Sequence, residues 1–416
     1  MMPSKLDSSN ITMQTLDLET AQKIIVATCK VLPSKQITLA DAVGRVAARP
    51  HLASNALPGY DGSLRDGYAI GGIGEGKDNP AVFQVIDEVA AGDTRKLHMQ
   101  PGEAVRIMTG GLIPAGCKAV IPQEHCERVA ETVMVPLDSC TRKNAFILKK
   151  GCEIEKNQVI LGQGVNVTAE HQVLLAGTGY DSVDLVRKPQ IRFFCTGSEL
   201  VTDTKQTMAA GQRFSANSHL LSGLINRYGA QLREQRTVVD DGVLVVELMQ
   251  QMAGADCDLV ISTGGMGPGK FDLIEDAFAQ CGGQTIYRSL NMRPGKSTLF
   301  GKLGSTLFFG LPGPPPAVQL LFHELVRPAI CALQGSAQCI PQKVEATLSE
   351  DLSFPKRGML RLKSGVFSLE NCRCLVRPAR KSEVSNCYIF FSAKERVLYR
   401  GDKVLLHLTS CLSGSC

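Results

Sequence analysis

Residues 263–272 read TGGMGPGKFD and follow a compact apolar run, Leu259, Val260 and Ile261. A strand, a glycine turn and a helix start in that order make a cradle for an anion. Glycine lets the backbone approach a ligand closely, and N–H groups at a helix start point outward without an intrahelical partner. The N–H groups of Gly264, Gly265 and Gly267 are the candidates to face a phosphate. The spacing is neither GxGxxG nor GxxxxGK[ST], which sets dinucleotide and P-loop readings aside. Two further glycine turns follow predicted strands: TGSE at 196–199, with Thr196, Gly197 and Glu199, and GLPGPPP at 310–316. Three such loops at the ends of parallel strands would converge on one anionic ligand.

Charged residues extend this set. Arg293 and Lys296, in the turn RPGK, place two cations where a neighbouring phosphate could use them. Glu199, Asp240 and Asp272 stand at predicted strand ends. Helix capping accounts for carboxylates in such places. Gathered around a phosphate, they would instead hold Mg²⁺ through one or two direct ligands and water.

The elements that must position these residues alternate between strand and helix from 190 to 333. A strand at 191–195 leads to a helix carrying Leu220, Leu221, Leu224, Ile225 and Tyr228, capped by Asn217 and stopped by Gly229. A strand at 236–239 precedes a helix capped by Asp240 or Asp241, with Leu244, Val245, Leu248, Met249 and Met252 on one face. After the strand at 258–262 and the opening loop, 298–300 and 306–309 read as a hairpin, and a last helix starts at Pro315 or Pro316. The alternation predicts a doubly wound α/β sheet with ligands at the strand C-terminal ends. Residues 14–50 read as helical, with one piece carrying Leu18, Ala21, Ile24, Ile25 and Cys29 and a second at 39–48. Residues 55–149 are short β runs between Gly and Pro turns, a small β-rich domain. Residues 150–187 bridge to the α/β part through a helix near 169–176, and from about 340 short β runs predict a small barrel or sandwich.

A chain of 416 residues exceeds one ordinary core and predicts two to four domains. With 44% hydrophobic and 20% charged residues the composition is that of a soluble globular protein. No apolar run reaches the ~18 residues of a membrane span, and the polar start lacks a signal-peptide core. A net charge of +5 with dispersed Lys and Arg points away from nucleic acid. Fifteen cysteines, odd in number and without a CxxC pair, read as reduced thiols of a cytoplasmic protein, mostly buried as small hydrophobes.

Taken in order, these residues resemble the molybdopterin molybdenumtransferase family of MoeA and the gephyrin E domain. LADAVGRV at 39–46 looks like its early helix. LPGYD at 57–61 with RDGYA at 65–69 is similar to its PGFDNSAMDGYA segment. VRIMTG at 105–110, Gln123 with Glu124, and Lys150, Gly151 and Glu153 also match in family order. TGSEL at 196–200, Asn217, Asp240, the glycine loop, RPGK and GLPG complete the series. The resemblance implies four domains: a linking, dimerising domain of 14–54 and 150–188, an inserted β-rich domain of 55–149, a molybdopterin-binding α/β domain of 189–335, and a C-terminal barrel-like β domain of 336–416. It implies a homodimer that inserts molybdate into adenylylated molybdopterin, releases AMP and requires Mg²⁺. A separate molybdopterin adenylyltransferase would be a partner. By position, Asp66, Asp240, Asp272 and Lys296 become catalytic. Thr109, Glu124, Thr196, Gly197, Gly264, Gly265, Gly267, Arg293, Pro312 and Pro315 become substrate-binding, and Glu199, Asp240 and Asp272 become metal ligands. Asp66 would close the site from the inserted domain, across the dimer.

Several loops depart from the family pattern. Arg65 stands where the family has a small apolar residue and Lys270 where it has glutamate, and the family's GLPGNPVS is here GLPGPPPA, so that Pro314 replaces an amide, Pro316 a valine and Ala317 a hydroxyl. Relative to glutamate, Lys270 shifts the local charge by about two units, favouring an anion over Mg²⁺. A non-catalytic molybdopterin-binding paralogue, acting as carrier or regulator, is the alternative. A related enzyme acting on a different phosphorylated or nucleotide substrate is a third reading.

Overall fold

A computed structural model describes residues 15–73, 80–140, 142–267, 273–353, 359–391 and 397–409. Pro268, Lys270 and Asp272 lie outside the described residues. The central sheet holds six strands: β1 (Gln190–Thr196), β2 (Gln231–Val238), β3 (Leu259–Thr263), β4 (Gln284–Arg288), β5 (Leu299–Leu303) and β6 (Thr306–Leu311). Their order is β2-β1-β3-β6-β5-β4. The first four run parallel, while β5 is antiparallel to both β6 and β4. The predicted hairpin is β5–β6.

Alternate side chains of each strand enter two cores, the period-2 signature of a sheet covered on both faces. Ile191, Phe193 and Cys195 of β1 and Leu307, Phe309 and Leu311 of β6 join one core, with Leu221, Leu224 and Ile225 of the helix Ala216–Arg227. Phe194, Val260 and Phe308 join the other, with Val245, Met249 and Met252 of the helix Gly242–Met252. Helices on both faces make the sheet doubly wound, as the alternation predicts. Asp241, not Asp240, caps the second helix, its carboxylate accepting from the N–H groups of Val243 and Leu244. Gly229, at φ +71°, ends the first helix as expected.

Two local expectations change. Residues 39–48 do not form a helix: Ser34–Thr38 is a strand paired antiparallel with Ser182–Val186, followed by one 3₁₀ turn, Leu39–Asp41. Gly44, at φ +77°, then breaks any helical path. Cross-strand pairing and burial of Ala42 and Ala47 against Leu175, Val183 and Leu185 override the local apolar periodicity. The helix Leu18–Thr28 does form, but its face of Leu18, Ala21 and Ile25 packs into the α/β core. Gln22 reaches from it to Glu324.

Residues 55–149 hold a second six-stranded sheet, in which Gly67–Ile70, Glu103–Ile107, Ala81–Val89 and Ala119–Pro122 contribute to two separate cores. Beyond 340, five strands close on themselves. Leu360–Glu370 pairs with both Arg373–Pro378 and Cys387–Phe391, while Lys343–Leu348 and Lys403–Leu408 complete the ring. Of the two architectures expected there, the chain adopts the barrel. Closure leaves no free edge on the ring.

Among the described cysteines Cys195, Cys257 and Cys387 are buried, and Cys152 and Cys372 exposed; the rest are half-buried. Burial pushes the Cys387 thiol up to about 12 and Cys257 up to about 11. Among the described cysteines, iodoacetamide at pH 8 is therefore expected to modify Cys152 and Cys372 first, leaving Cys257 and Cys387 unreacted until the protein unfolds, as peptide mass spectrometry would show.

Candidate active site

The chain runs from β1 outward to β2, then returns past β1 to β3. The loops leaving β1 and β3 therefore diverge at the C-terminal ends of adjacent strands, where a cleft opens. Two adjoining cavities occupy it, of about 280 Å³ and about 400 Å³, sharing Thr196, Glu199, Gly313 and Pro314. All three predicted glycine loops line them: Thr196, Gly197 and Glu199 after β1, Gly264, Gly265 and Gly267 after β3, and Pro312, Gly313 and Pro315 after β6.

The loops touch because their crossing points lack side chains. Gly264 sits at φ +93°, and a Cβ there would lie 2.5 Å from the Thr196 carbonyl oxygen and 2.7 Å from its Oγ1. A Cβ on Gly313 would meet the Gly264 Cα at 3.7 Å, ordinary contact. Asp240 binds the first loop to the end of β2. Its Oδ2 accepts from the Ser198 N–H at 3.0 Å, and its own N–H donates to Ser198 Oγ at 3.1 Å. Asn217 does not cap its helix, which starts from Ser215. Its Nδ2 instead donates to Gly313 O at 2.8 Å and to Thr263 Oγ1 at 3.3 Å, tying the β3 and β6 ends together.

Among the described residues, two buried polar atoms on these walls have no hydrogen-bond partner, Thr196 Oγ1 and Asn217 Oδ1, and the buried Ser215 side chain sits beside the Cys195 thiol. Burying such atoms unpaired is costly, and a polar ligand would satisfy them. Their neighbours Arg213 and Phe214 form the outer wall of the smaller cavity. The sequence reading missed Arg213, Phe214 and Ser215, and took Asn217 only for a cap. The one available signal was Ser-x-Asn opening a helix that follows a basic and an aromatic residue.

One assigned role fails. The Gly264 N–H donates to the Leu311 carbonyl at 3.1 Å, continuing the β3–β6 ladder instead of facing a ligand. The Gly197 N–H is likewise spent on the Val238 carbonyl. Arg293 and Lys296 are exposed and line neither cavity, although Ser297, next to Lys296, lines the larger one. Arg293 lies in the two-residue strand Met292–Arg293, which pairs with the barrel at Leu360 and Arg361.

Asp66, Thr109 and Glu124 form a separate exposed group on the inserted sheet. Asp66 Oδ1 accepts from both the N–H and the hydroxyl of Thr109 at 2.7 Å, and these bonds hold its carboxyl below the usual range. The Gln123 N–H donates to the Asp66 carbonyl, placing Glu124 beside it. Beneath, Lys149 pairs with Asp61 at 2.7 Å. No residue of this sheet lines either cavity.

Known proteins carry both halves of this arrangement. Residues 16–179 match the MoeA N-terminal region (domain I and II), and residues 192–332 match the probable molybdopterin binding domain. A molybdopterin molybdenumtransferase of Staphylococcus epidermidis is 30% identical over 320 residues, covering 76% of this chain and 75% of the relative. The chain belongs to the molybdopterin molybdenumtransferase family. A Staphylococcus aureus member is 30% identical over 329 residues, 77% of each protein. The molybdopterin biosynthesis MoeA protein of Pyrococcus horikoshii shares the fold, with a TM-score of 0.81 at 24% identity over 96% of this chain and all of that one. Within the family frame, the cleft at the β1 and β3 ends falls in the region matching the molybdopterin binding domain. Asp66, Thr109 and Glu124 fall in the N-terminal region.

Proposed function

We propose that this chain is a molybdopterin molybdenumtransferase: it inserts molybdate into the dithiolene of adenylylated molybdopterin and releases AMP. Two Mo–S bonds form as an oxo ligand leaves as water, and water cleaves the phosphoanhydride. The observation that carries the reading is the cleft where three strand-end loops converge on Thr196 Oγ1 and Asn217 Oδ1, buried and unpaired among the described residues, with Ser215 beside them. Those atoms would orient the pterin and its phosphate, with Pro312 and Pro315 shaping the wall and Arg293 and Lys296 supplying cations from the neighbouring turn.

Glu199 and Asp240 line the same cavity. Asp240 Oδ2 is engaged by Ser198, which leaves Oδ1 to a cation. Two carboxylates with water fit the needs of Mg²⁺, and Asp272, the third proposed ligand, lies outside the described residues. Bound there, Mg²⁺ would polarise the phosphoanhydride. The reaction belongs in the cytoplasm, fed by an adenylyltransferase. No described helix is long and apolar enough to cross a membrane. The division of the chain at 14–54 with 150–188, 55–149, 189–335 and 336–416 belongs to the same reading, with the helix Leu18–Thr28 packing across the first boundary.

Purified protein given adenylylated molybdopterin is expected to release AMP only when molybdate and Mg²⁺ are present. Tight pterin binding without AMP release would assign a carrier role and overturn this reading.

Because Asp66, Thr109 and Glu124 line neither cavity of their own chain, the proposed site takes them from a second copy. In such a homodimer, Asp66→Ala and Asp240→Ala proteins are each inactive. Unfolding and refolding them together at equal amounts leaves half the dimers mixed, each with one site free of both changes, so roughly a quarter of wild-type activity returns. No recovery, with mixed dimers confirmed by mass, would place both residues in one chain's site.

A further inference from the structure

A cavity of about 440 Å³ lies at the opposite edge of the central sheet, lined by Lys35, Arg45, Arg187, Lys188, Gln190 and Arg233 among others. Gln190 opens β1 and Thr196 closes it, so this cavity and the proposed active site are separated by a strand length, about 20 Å. Its walls come from five places: the strand Ser34–Thr38, the turn bearing Arg45, the segment 187–190 entering the sheet, the start of β2 with Gln231 and Arg233, and Ala255 and Asp256 before β3.

The charges here do not cancel. Arg187 is neutralised by Asp258 through bonds of 2.6 and 2.7 Å. Asp256, the one acidic residue on the wall, is taken by Arg192 at 2.6 Å. Among the described residues Lys35, Arg45, Lys188 and Arg233 have no carboxylate within ion-pair distance, which leaves four cations around one cavity. Arg45 is half-buried; its Nη2 donates to the Val186 carbonyl at 3.0 Å, while its Nε is buried without a partner. Gln190 Oε1 is also buried and unpaired. A guanidinium N–H lacking an acceptor is satisfied by an oxyanion, and a hydroxyl on that oxyanion would donate to Gln190.

We infer that this cavity is a second anion site, taking a small phosphate-bearing ligand of two or more negative charges. The ligand bridges Lys35 and Arg45 on one side to Lys188 and Arg233 on the other, and so fastens the β layer of residues 34–57 and 147–186 to the α/β sheet. It neutralises cations that otherwise repel one another across the opening.

Reductive methylation of the full-length protein, read by peptide mass spectrometry, tests this directly, with Lys381 on the barrel as the internal reference. Millimolar pyrophosphate is expected to slow modification of Lys35 and Lys188 at least fivefold and to leave Lys381 unchanged. AMP runs in parallel, and protection by AMP but not by pyrophosphate would assign the phosphate to a nucleotide. A Lys35→Gln/Arg233→Gln protein, altered only at exposed side chains, is expected to lose the protection of Lys188. Equal labelling of Lys35 with and without either anion would overturn the inference, as would undiminished protection of Lys188 in the double variant. The readout is local to this edge, so it stands or falls apart from molybdate-dependent AMP release.

Discussion

Replacing Gly264 with alanine is expected to lower molybdate-dependent AMP release by about 100-fold or more while the chain still folds. The new methyl would sit 2.5 Å from the Thr196 carbonyl oxygen, a separation real Cβ atoms do not show, on a backbone at φ +93° that L residues rarely adopt. Neither partner can yield cheaply. Thr196 ends β1, held in register by β2 and β3, and Gly264 is pinned by its bond to Leu311. The β1 and β3 loops must then separate, opening the cleft and moving Thr196 Oγ1 away from the ligand. The cost in stability is about 2–4 kcal/mol, within the range of steric and positive-φ changes. Gly313→Ala is the control, since its methyl meets only ordinary contact, and activity there is expected to stay within about threefold. Paired measurements of kcat and thermal unfolding decide the matter. A folded Gly264→Ala protein with wild-type kcat would show that the loop crossing does not set the site.

His407→Leu is expected to destabilise the protein by about 3–5 kcal/mol, the cost of stripping a buried carboxylate of its main partner. Glu324 is fully buried and lies in a π-helical turn, Phe322–Val326, between two α-helical segments. His407 Nδ1 lies 2.9 and 2.8 Å from its two carboxylate oxygens, and Gln22 Nε2 donates to Oε2 at 3.1 Å. These groups join the barrel, the α/β layer and the N-terminal helix through one polar contact. Losing the imidazole leaves the Glu324 carboxyl, among the described residues, with the Gln22 amide as its hydrogen-bond partner. The double change Glu324→Leu/His407→Leu removes the orphaned carboxyl group along with its partner, and is expected to restore much of the loss. Urea unfolding of the two variants measures the difference. Equal destabilisation by both would show that packing, and not the stranded carboxylate, sets the cost.

How far the sequence carried depended on the range of the interaction. The helix Gly242–Met252 was legible because Asp241 caps it and Val245, Met249 and Met252 repeat on one face, all within a dozen residues. The three glycine loops were legible for the same reason. Residues 39–48 were misread because their apolar spacing suits a helix, while pairing of Ser34–Thr38 with a strand about 150 residues away decides otherwise. Asn217 looked like a cap because its bonds to Thr263 and Gly313 come from distant parts of the chain.

The residue types alone determined that this protein has an α/β layer, that its strand ends carry glycine-bordered loops, and which family it resembles. Strand and helix periodicity, caps and turn glycines are settled by neighbours a few positions apart, so a linear reading can recover them. Closure of the five-stranded barrel, the docking of the first helix and the gathering of Arg213, Phe214 and Ser215 into the cleft needed the tertiary structure. So did the removal of Asp66 and Thr109 from that cleft and the gathering of four cations, without a carboxylate partner among the described residues, at the far end of the sheet. Each depends on segments brought together across long stretches of chain, where the balance of burial and hydrogen bonding is set by partners that no local pattern names.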